Sequence, residues 1–500
     1  MLFRLLASSA VAVLLGTSAF AQERVLDVVS PFELKGPEPG VSGYIYLQMD
    51  VIETLVNSDL EGNLVPGLAT EWTTSGDGLE WRFLLRDGVT FHDGTPLDAA
   101  AAAHALSVAQ GKPGLLATAP ITRIEGQGNE VVFHLAEPFE PLAAFLTEYR
   151  NMIYAPAAYA ADGAITEVIG TGAYKITKIE APLRMEVERF EGYWGEPAHI
   201  ANATYQSVGR AETRALMAES GEAEYVVNLD PASVARLAEL DGLDVYSVSI
   251  PRAMLIKANT AHPVLSDLDV RRALSLALDR DGLASAVLRY RAGADQILPP
   301  LLSDWHSEHV QPLRYDPDEA ISLLAEAGWV PGDDGILVRE GQRLSLTLTS
   351  YPDRPEMPLS AAVIQQMFAE IGVELTIDLT NSSEIPVRHH DGTLELALFA
   401  RNFALTPSPL GTFLTDYAPN GDWGAMGWDN PEFVDLIRDL ARGRGGQSER
   451  DRAIEILQTE LPVLPVAWYQ QTAVISHAIT GAVLDPFERT IGLKYIRWAE

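Results

Sequence analysis

The 500-residue chain contains no cysteine at all. That excludes thiol catalysis, Cys-ligated zinc, disulfide staples and an acylated lipoprotein cysteine near the start. A chain of this length stabilises itself by core burial instead, and it is too long for one hydrophobic core, so two or more lobes are expected. Positive charge is scarce: 36 Lys and Arg face 69 Asp and Glu, for a formal net charge of −33. Such a surface repels nucleic acid and anionic lipid, so both are poor partners and no nucleic-acid partner is expected. It keeps the protein soluble and draws weakly on cationic or metal-bearing solutes. Long apolar runs are missing beyond the first 21 residues. There, Arg4 followed by Leu5 to Leu15 and Ala19-Phe20-Ala21 reads as a cleavable signal peptide, too short for a permanent anchor. Cleavage before Gln22 and export are expected.

Catalytic signatures are equally absent. No G-x-S-x-G elbow follows the leader, and neither H-E-x-x-H nor S-x-x-K with its companion motifs is present. The alternative of another class, an exported hydrolase, therefore has no motif in its favour, and the chain is expected not to be an enzyme. His306 and His309 share a helical spacing and His389 and His390 are adjacent, yet neither pair has a third ligand at a characteristic offset. A surface or turn role outweighs metal ligation for both pairs, and no cofactor is expected.

What is present points to mixed α/β structure. Trp81, Phe83 and Leu85 alternate with Arg82 and Leu84 as in a half-buried strand. Arg86-Asp87-Gly88 and His92-Asp93-Gly94 supply turns, and Thr95-Pro96-Leu97-Asp98 reads as an N-cap, a Pro at N1 and an acid at N3. An Ala-rich helix is expected over Ala99 to Val108, a short strand over Arg24 to Val29, and near-helical spacing over Tyr44 to Val56. Ile169-Gly170-Thr171-Gly172-Ala173-Tyr174 is a Gly-spaced turn entering a strand, not a dinucleotide fingerprint. Asp269 to Asp279 has a helical apolar face, and Asp316, Pro317 and Glu319 cap a helix that Gly328 ends. Leu344, Leu346 and Leu348, then a helix from Pro358 to Ile371, then Val373, Leu375, Ile377 and Leu379 form a βαβ crossover with parallel pairing. Leu394 to Phe399 reads as another strand of that sheet.

The block from Val65 to Asp98, the Gly-spaced turn at Ile169, the aromatic corner Tyr193-Trp194-Gly195 and the helix within Leu265 to Asp281 occur in this order. Together they resemble the family 5 solute-binding proteins, the extracytoplasmic receptors of peptide and nickel ABC importers, over nearly the entire mature chain. The resemblance implies a two-lobe periplasmic-binding-protein-like α/β fold of the cluster C type, with an extra subdomain in lobe I. Lobe I would comprise residues 22–250 with 475–500 returning to it, and lobe II residues 255–472. It further implies a periplasmic monomer that passes a small-molecule ligand to an ABC permease in the inner membrane.

The site candidate is Leu398 to Trp428, beyond the end of an expected sheet strand, where ligands of open α/β sheets lie. Arg401 can fork onto a carboxylate, Asn402 offers donors and acceptors, and Phe403, Tyr417 and Trp423 can wall a small ligand. The plain alternative for these aromatics is packing. Dipeptide receptors of the family carry an acid in a D-P-D-N-F-like run here, where this chain reads Thr406-Pro407-Ser408-Pro409-Leu410. Its nickel and metallophore receptors have an Arg near Arg401, and a second Arg in the other lobe matches Arg150. The resemblance thus implies two cations clamping a carboxylate-bearing metal chelate of opine-like or histidine-like type, with a short peptide as the alternative. No His lies between His390 and His477, so the metal would travel inside its chelator.

Overall fold

The computed structural model describes residues 24–352, 354–417, 421 and 423–500; the leader expected over residues 1–21 lies outside them. Fourteen strands carry the architecture. They are β1 (Val25–Ser30), β2 (Ala69–Thr74), β3 (Glu80–Leu85), β4 (Ile121–Gln127), β5 (Glu130–Leu135), β6 (Tyr174–Glu180) and β7 (Arg184–Arg189). The chain continues with β8 (Asn202–Ser207), β9 (Tyr225–Val227), β10 (Leu243–Ala258), β11 (Ser345–Ser350), β12 (Glu374–Leu379), β13 (Leu396–Asn402) and β14 (Val463–Ser476). Among the described residues ten of them form one sheet in the order β12-β11-β13-β10-β14-β9-β1-β8-β7-β6. The other four form a separate sheet, β2-β3-β5-β4.

The expected crossover is present. Ser345 pairs with Glu374 and Ser350 with Leu379 in parallel, with a helix (Glu356–Glu370) between the two strands. β13 lies parallel to β11 on its other side and antiparallel to β10. Strands β10 and β14 are long and pair from Leu243↔Ser476 to Lys257↔Val463. Their register shifts between Ser249 and Ala253, around Pro251, which has no N–H to give a ladder. The free Pro251 carbonyl instead accepts from Phe403 N at 2.7 Å.

In the smaller sheet the alternation of β3 buries Trp81, Phe83 and Leu85, and the Phe83 and Phe133 rings meet edge to face at 5.4 Å. Against it packs the Ala-rich helix, α1 here (Ala99–Gln110). Its N-cap is Asp98, which accepts from Ala101 N at 2.7 Å, and not Thr95. The reason is local: Leu97 N bonds Val89 O at 2.9 Å and Thr90 bridges Pro96, which holds this segment extended. The helix expected over Tyr44 to Val56 is also displaced, running over Pro39–Gln48. Residues beyond it are claimed by the Gly-spaced turn, where Tyr174 N bonds Asp50 O at 3.0 Å and Gly172 N bonds Val51 O at 3.1 Å.

That turn knits the signature blocks together. His92 Nε2 donates to Gly172 O at 3.0 Å while Nδ1 accepts from Gly170 N at 3.4 Å, an arrangement that fits the neutral ring. The buried Glu53 carboxylate accepts from Thr171 Oγ1 and Trp194 Nε1, each at 2.9 Å, and from Tyr193 OH at 3.2 Å. One carboxylate thus binds the Gly-spaced turn to the aromatic corner, and burial pushes its pKa up.

Two predictions follow from this knot. A Cβ on Gly172 would lie 2.1 Å from the Asp50 carbonyl oxygen. Gly172→Ala should therefore cost about 1–3 kcal/mol in urea denaturation, while Gly209→Ala, with open space around it, should cost nothing measurable. Burial lowers the His92 pKa from 6.5 to about 4. Within that window the unfolded chain binds a proton that the native ring refuses, so stability falls as pH drops from 6.5 to 4. The full effect is about 3 kcal/mol, and His92→Gln should flatten the slope of urea midpoint against pH.

Candidate functional site

A cavity of about 250 Å³ is lined by Tyr351, Arg354, Ser382, Ala400, Arg401 and Trp423. Its position follows from the sheet. Tyr351 comes directly after β11, Ser382 follows the end of β12, and Ala400 and Arg401 lie at the C-terminal end of β13. These three strands are mutually parallel, so the hollow sits beyond one set of carboxyl ends, where open α/β sheets take their ligands.

Of the residues expected here, Arg401 and Trp423 line the cavity. Arg401 is already engaged: Nε and Nη2 reach the two Asp416 carboxylate oxygens at 2.5 and 2.9 Å. Asp416 ends a short helix (Leu410–Asp416) and is only 5% exposed. Burial raises its pKa and the Arg401 charge opposes that rise. Trp423 leans on Phe399 at 6.0 Å between ring centroids. Asn402 turns away, its Oδ1 accepting from Ala404 N at 2.8 Å in an Asx turn.

Phe403 and Tyr417 do not wall the hollow. Both are buried and pack on Phe413, at 5.9 and 5.4 Å, because β13 turns into the core directly after Asn402. Arg150 forms an ion pair with the fully buried Glu148, whose other oxygen accepts from Leu115 N at 3.3 Å. Its guanidinium lies 4.9 Å from the centre of the Tyr149 ring. Each of the two expected arginines thus has a carboxylate of its own.

Arg354 and Tyr351 were not legible as site residues from pattern alone. The available signal was their place: a Pro-flanked polar segment directly after an expected parallel strand. Arg354 lies 5.9 Å from the centre of the Tyr469 ring, and Tyr469 OH donates to Glu356 Oε1 at 2.9 Å. Burial disfavours the Arg354 charge, but Tyr469, Tyr351, Glu356 and Glu488 around it outweigh that and raise its pKa. Nearby, Arg252 pairs with Glu488 at 2.7 Å, both side chains 15% exposed. Among the described residues no group of three or more His, Asp or Glu is placed to hold a metal ion. His389 Nδ1 lies 2.9 Å from Lys257 Nζ, and His306 Nδ1 lies 2.8 Å from Leu298 O.

The Arg401–Asp416 pair generates a test. Asp416→Ala strands the guanidinium and should cost about 3–5 kcal/mol in urea denaturation. The double variant Arg401→Met/Asp416→Leu should cost far less, and equal losses would show that the two do not act as a unit.

Residues 63–424 match the profile of the bacterial extracellular solute-binding proteins, family 5 Middle. The nickel-binding periplasmic protein of Escherichia coli (strain K12) is 27% identical over 380 residues, 73% of this chain and 72% of that one. The dipeptide-binding protein of the same strain is 25% identical over 475 residues, 85% of this chain and 84% of that one. In three dimensions the chain resembles NikA from Brucella suis, solved with Fe(III)-EDTA, at a TM-score of 0.85 and 23% identity over 95% of this chain and 100% of that one. The fold is therefore that of the two-lobe binding proteins, as the sequence blocks implied. With well over half its length matched, the chain belongs to the bacterial extracellular solute-binding proteins of family 5, the solute receptors of ABC importers.

Proposed function

We propose that this protein captures a small carboxylate-bearing solute in the hollow beyond β11, β12 and β13 and delivers it to an inner-membrane ABC permease. The guest is a metal chelate, nickel held by an opine-like or histidine-like chelator, or a related peptide-like molecule. The observation that carries this reading is the cavity itself: about 250 Å³, lined by two arginines, a tryptophan and a tyrosine. Drug-sized sites span about 300–1,000 Å³, so this one suits a smaller guest. The similarity to a nickel-binding and to a dipeptide-binding protein supports both guest classes.

The working parts follow from the two long strands. Lobe I is residues 22–250 with 475–500 returning, and lobe II is residues 255–472. The bulge around Pro251 in β10 supports the division. Across it, Glu140 N bonds Ala441 O at 2.7 Å and Arg442 pairs with Glu137 at the same distance. A guest that touches both lobes favours the closed arrangement by its extra contacts. The leader sequence supports a periplasmic location, and the protein acts as a monomer without catalysis of its own.

Native mass spectrometry of protein purified without refolding, followed by calorimetry with nickel–histidine and with methionyl-leucine, tests the proposal. A co-purified mass below about 500 Da, or 1:1 binding at about 1 µM or tighter, is expected. No bound mass and no heat with either probe would remove it.

A further inference from the structure

The short helix Leu410–Asp416 has a glycine at its second position, although glycine is a poor helix former. Space explains its presence. A Cβ at Gly411 would stand 3.0 Å from Phe145 Cε1 and 3.1 Å from Leu115 Cδ1, both of them buried side chains of lobe I. Phe145 is backed by Phe139, edge to face at 5.1 Å, so it has little room to yield. The helix itself is fixed in lobe II, where Phe413 packs on Trp305 and Phe433 at 5.3 and 6.0 Å. Its last residue, Asp416, holds Arg401 with both carboxylate oxygens. The backbone at Gly421 and Gly424, on either side of Trp423, lies against the same turn. A Cβ at these two positions would come within 2.5 and 2.3 Å of the Asp416 carbonyl oxygen. One short helix thus meets lobe I at its start and holds two residues of the guest hollow at its end.

We propose that Gly411 is a positioning residue: the bare helix face it provides is the seat on which lobe I closes, and the helix passes that contact on to Arg401 and Trp423. This rests on the reading of the hollow as the guest site and on the division into two lobes. A side chain on the seat holds the lobes apart while every residue that lines the hollow is unchanged. Closure and guest binding are then linked reciprocally, so what weakens one weakens the other.

The test is a wedge with a matching relief. Leucine, a good helix former, replaces the glycine, so a loss comes from the seat and not from the helix. Calorimetry uses nickel–histidine and methionyl-leucine. Electron–electron resonance reads the distance between spin labels at Leu183→Cys and Val330→Cys, exposed positions of the two lobes in a chain with no cysteine of its own. Gly411→Leu should weaken binding by about tenfold or more and lengthen the label distance measured with the probe present. In a Phe145→Ala background the same leucine should cost less than about threefold. If Gly411→Leu does not fold, Gly411→Ala carries the same cycle with a loss of about threefold. A leucine that costs nothing, or as much in the Phe145→Ala background as in the wild type, overturns the assignment and leaves the receptor reading standing. A wild type that binds neither probe removes the receptor reading. The label distance then decides the seat alone, and a distance unmoved by Gly411→Leu overturns it.

Discussion

Two long strands, β10 and β14, lie antiparallel through the middle of the large sheet, and every other strand of it is anchored to this pair directly or through neighbours. On one side follow β13, β11 and β12, whose parallel order creates a common carboxyl edge. On the other follow β9, β1 and the β8-β7-β6 meander. The pair is continuous from one half of the sheet to the other. The Pro251 bulge is the place where the ladder is already interrupted. Geometry of the hollow therefore depends on a hydrogen-bonded ribbon rather than on a flexible linker.

Within that frame the cleft is organised by charge compensation. Taking an arginine out of water costs several kcal/mol unless a partner offsets it, and here the carboxylates of Asp416, Glu488 and Glu148 do so for Arg401, Arg252 and Arg150. The same arrangement makes those arginines fixed walls of the cleft.

Much of the fold was legible because it rests on local signals. The crossover from Leu344 to Leu379 is readable from alternation, helical spacing and Gly372, and Asp316 caps its helix through Glu319 N at 2.9 Å as the D-P-x-E pattern implies. The misses arise where distant backbone intervenes. Thr95 has the chemistry of a cap, but Val89 and Thr90 hold its neighbours extended; the helical spacing beyond Gln48 is overridden by Gly170 to Tyr174. The expected site residues divide by where the chain places them. Arg401 and Trp423 sit at the hollow because strand ends are predictable, whereas Phe403 and Tyr417 entered the core on the turn of one residue. Whether an arginine is free or spoken for depends on carboxylates such as Asp416 folded against it, and no local pattern encodes that.

The most direct measurement of the central claim is a crystal structure of the protein with the guest it carries from the cell. The account predicts density for a small molecule beyond the ends of β11, β12 and β13, in the hollow lined by Tyr351, Arg354, Arg401 and Trp423, with Arg401 still on Asp416. A guest seated elsewhere in the protein would contradict the account.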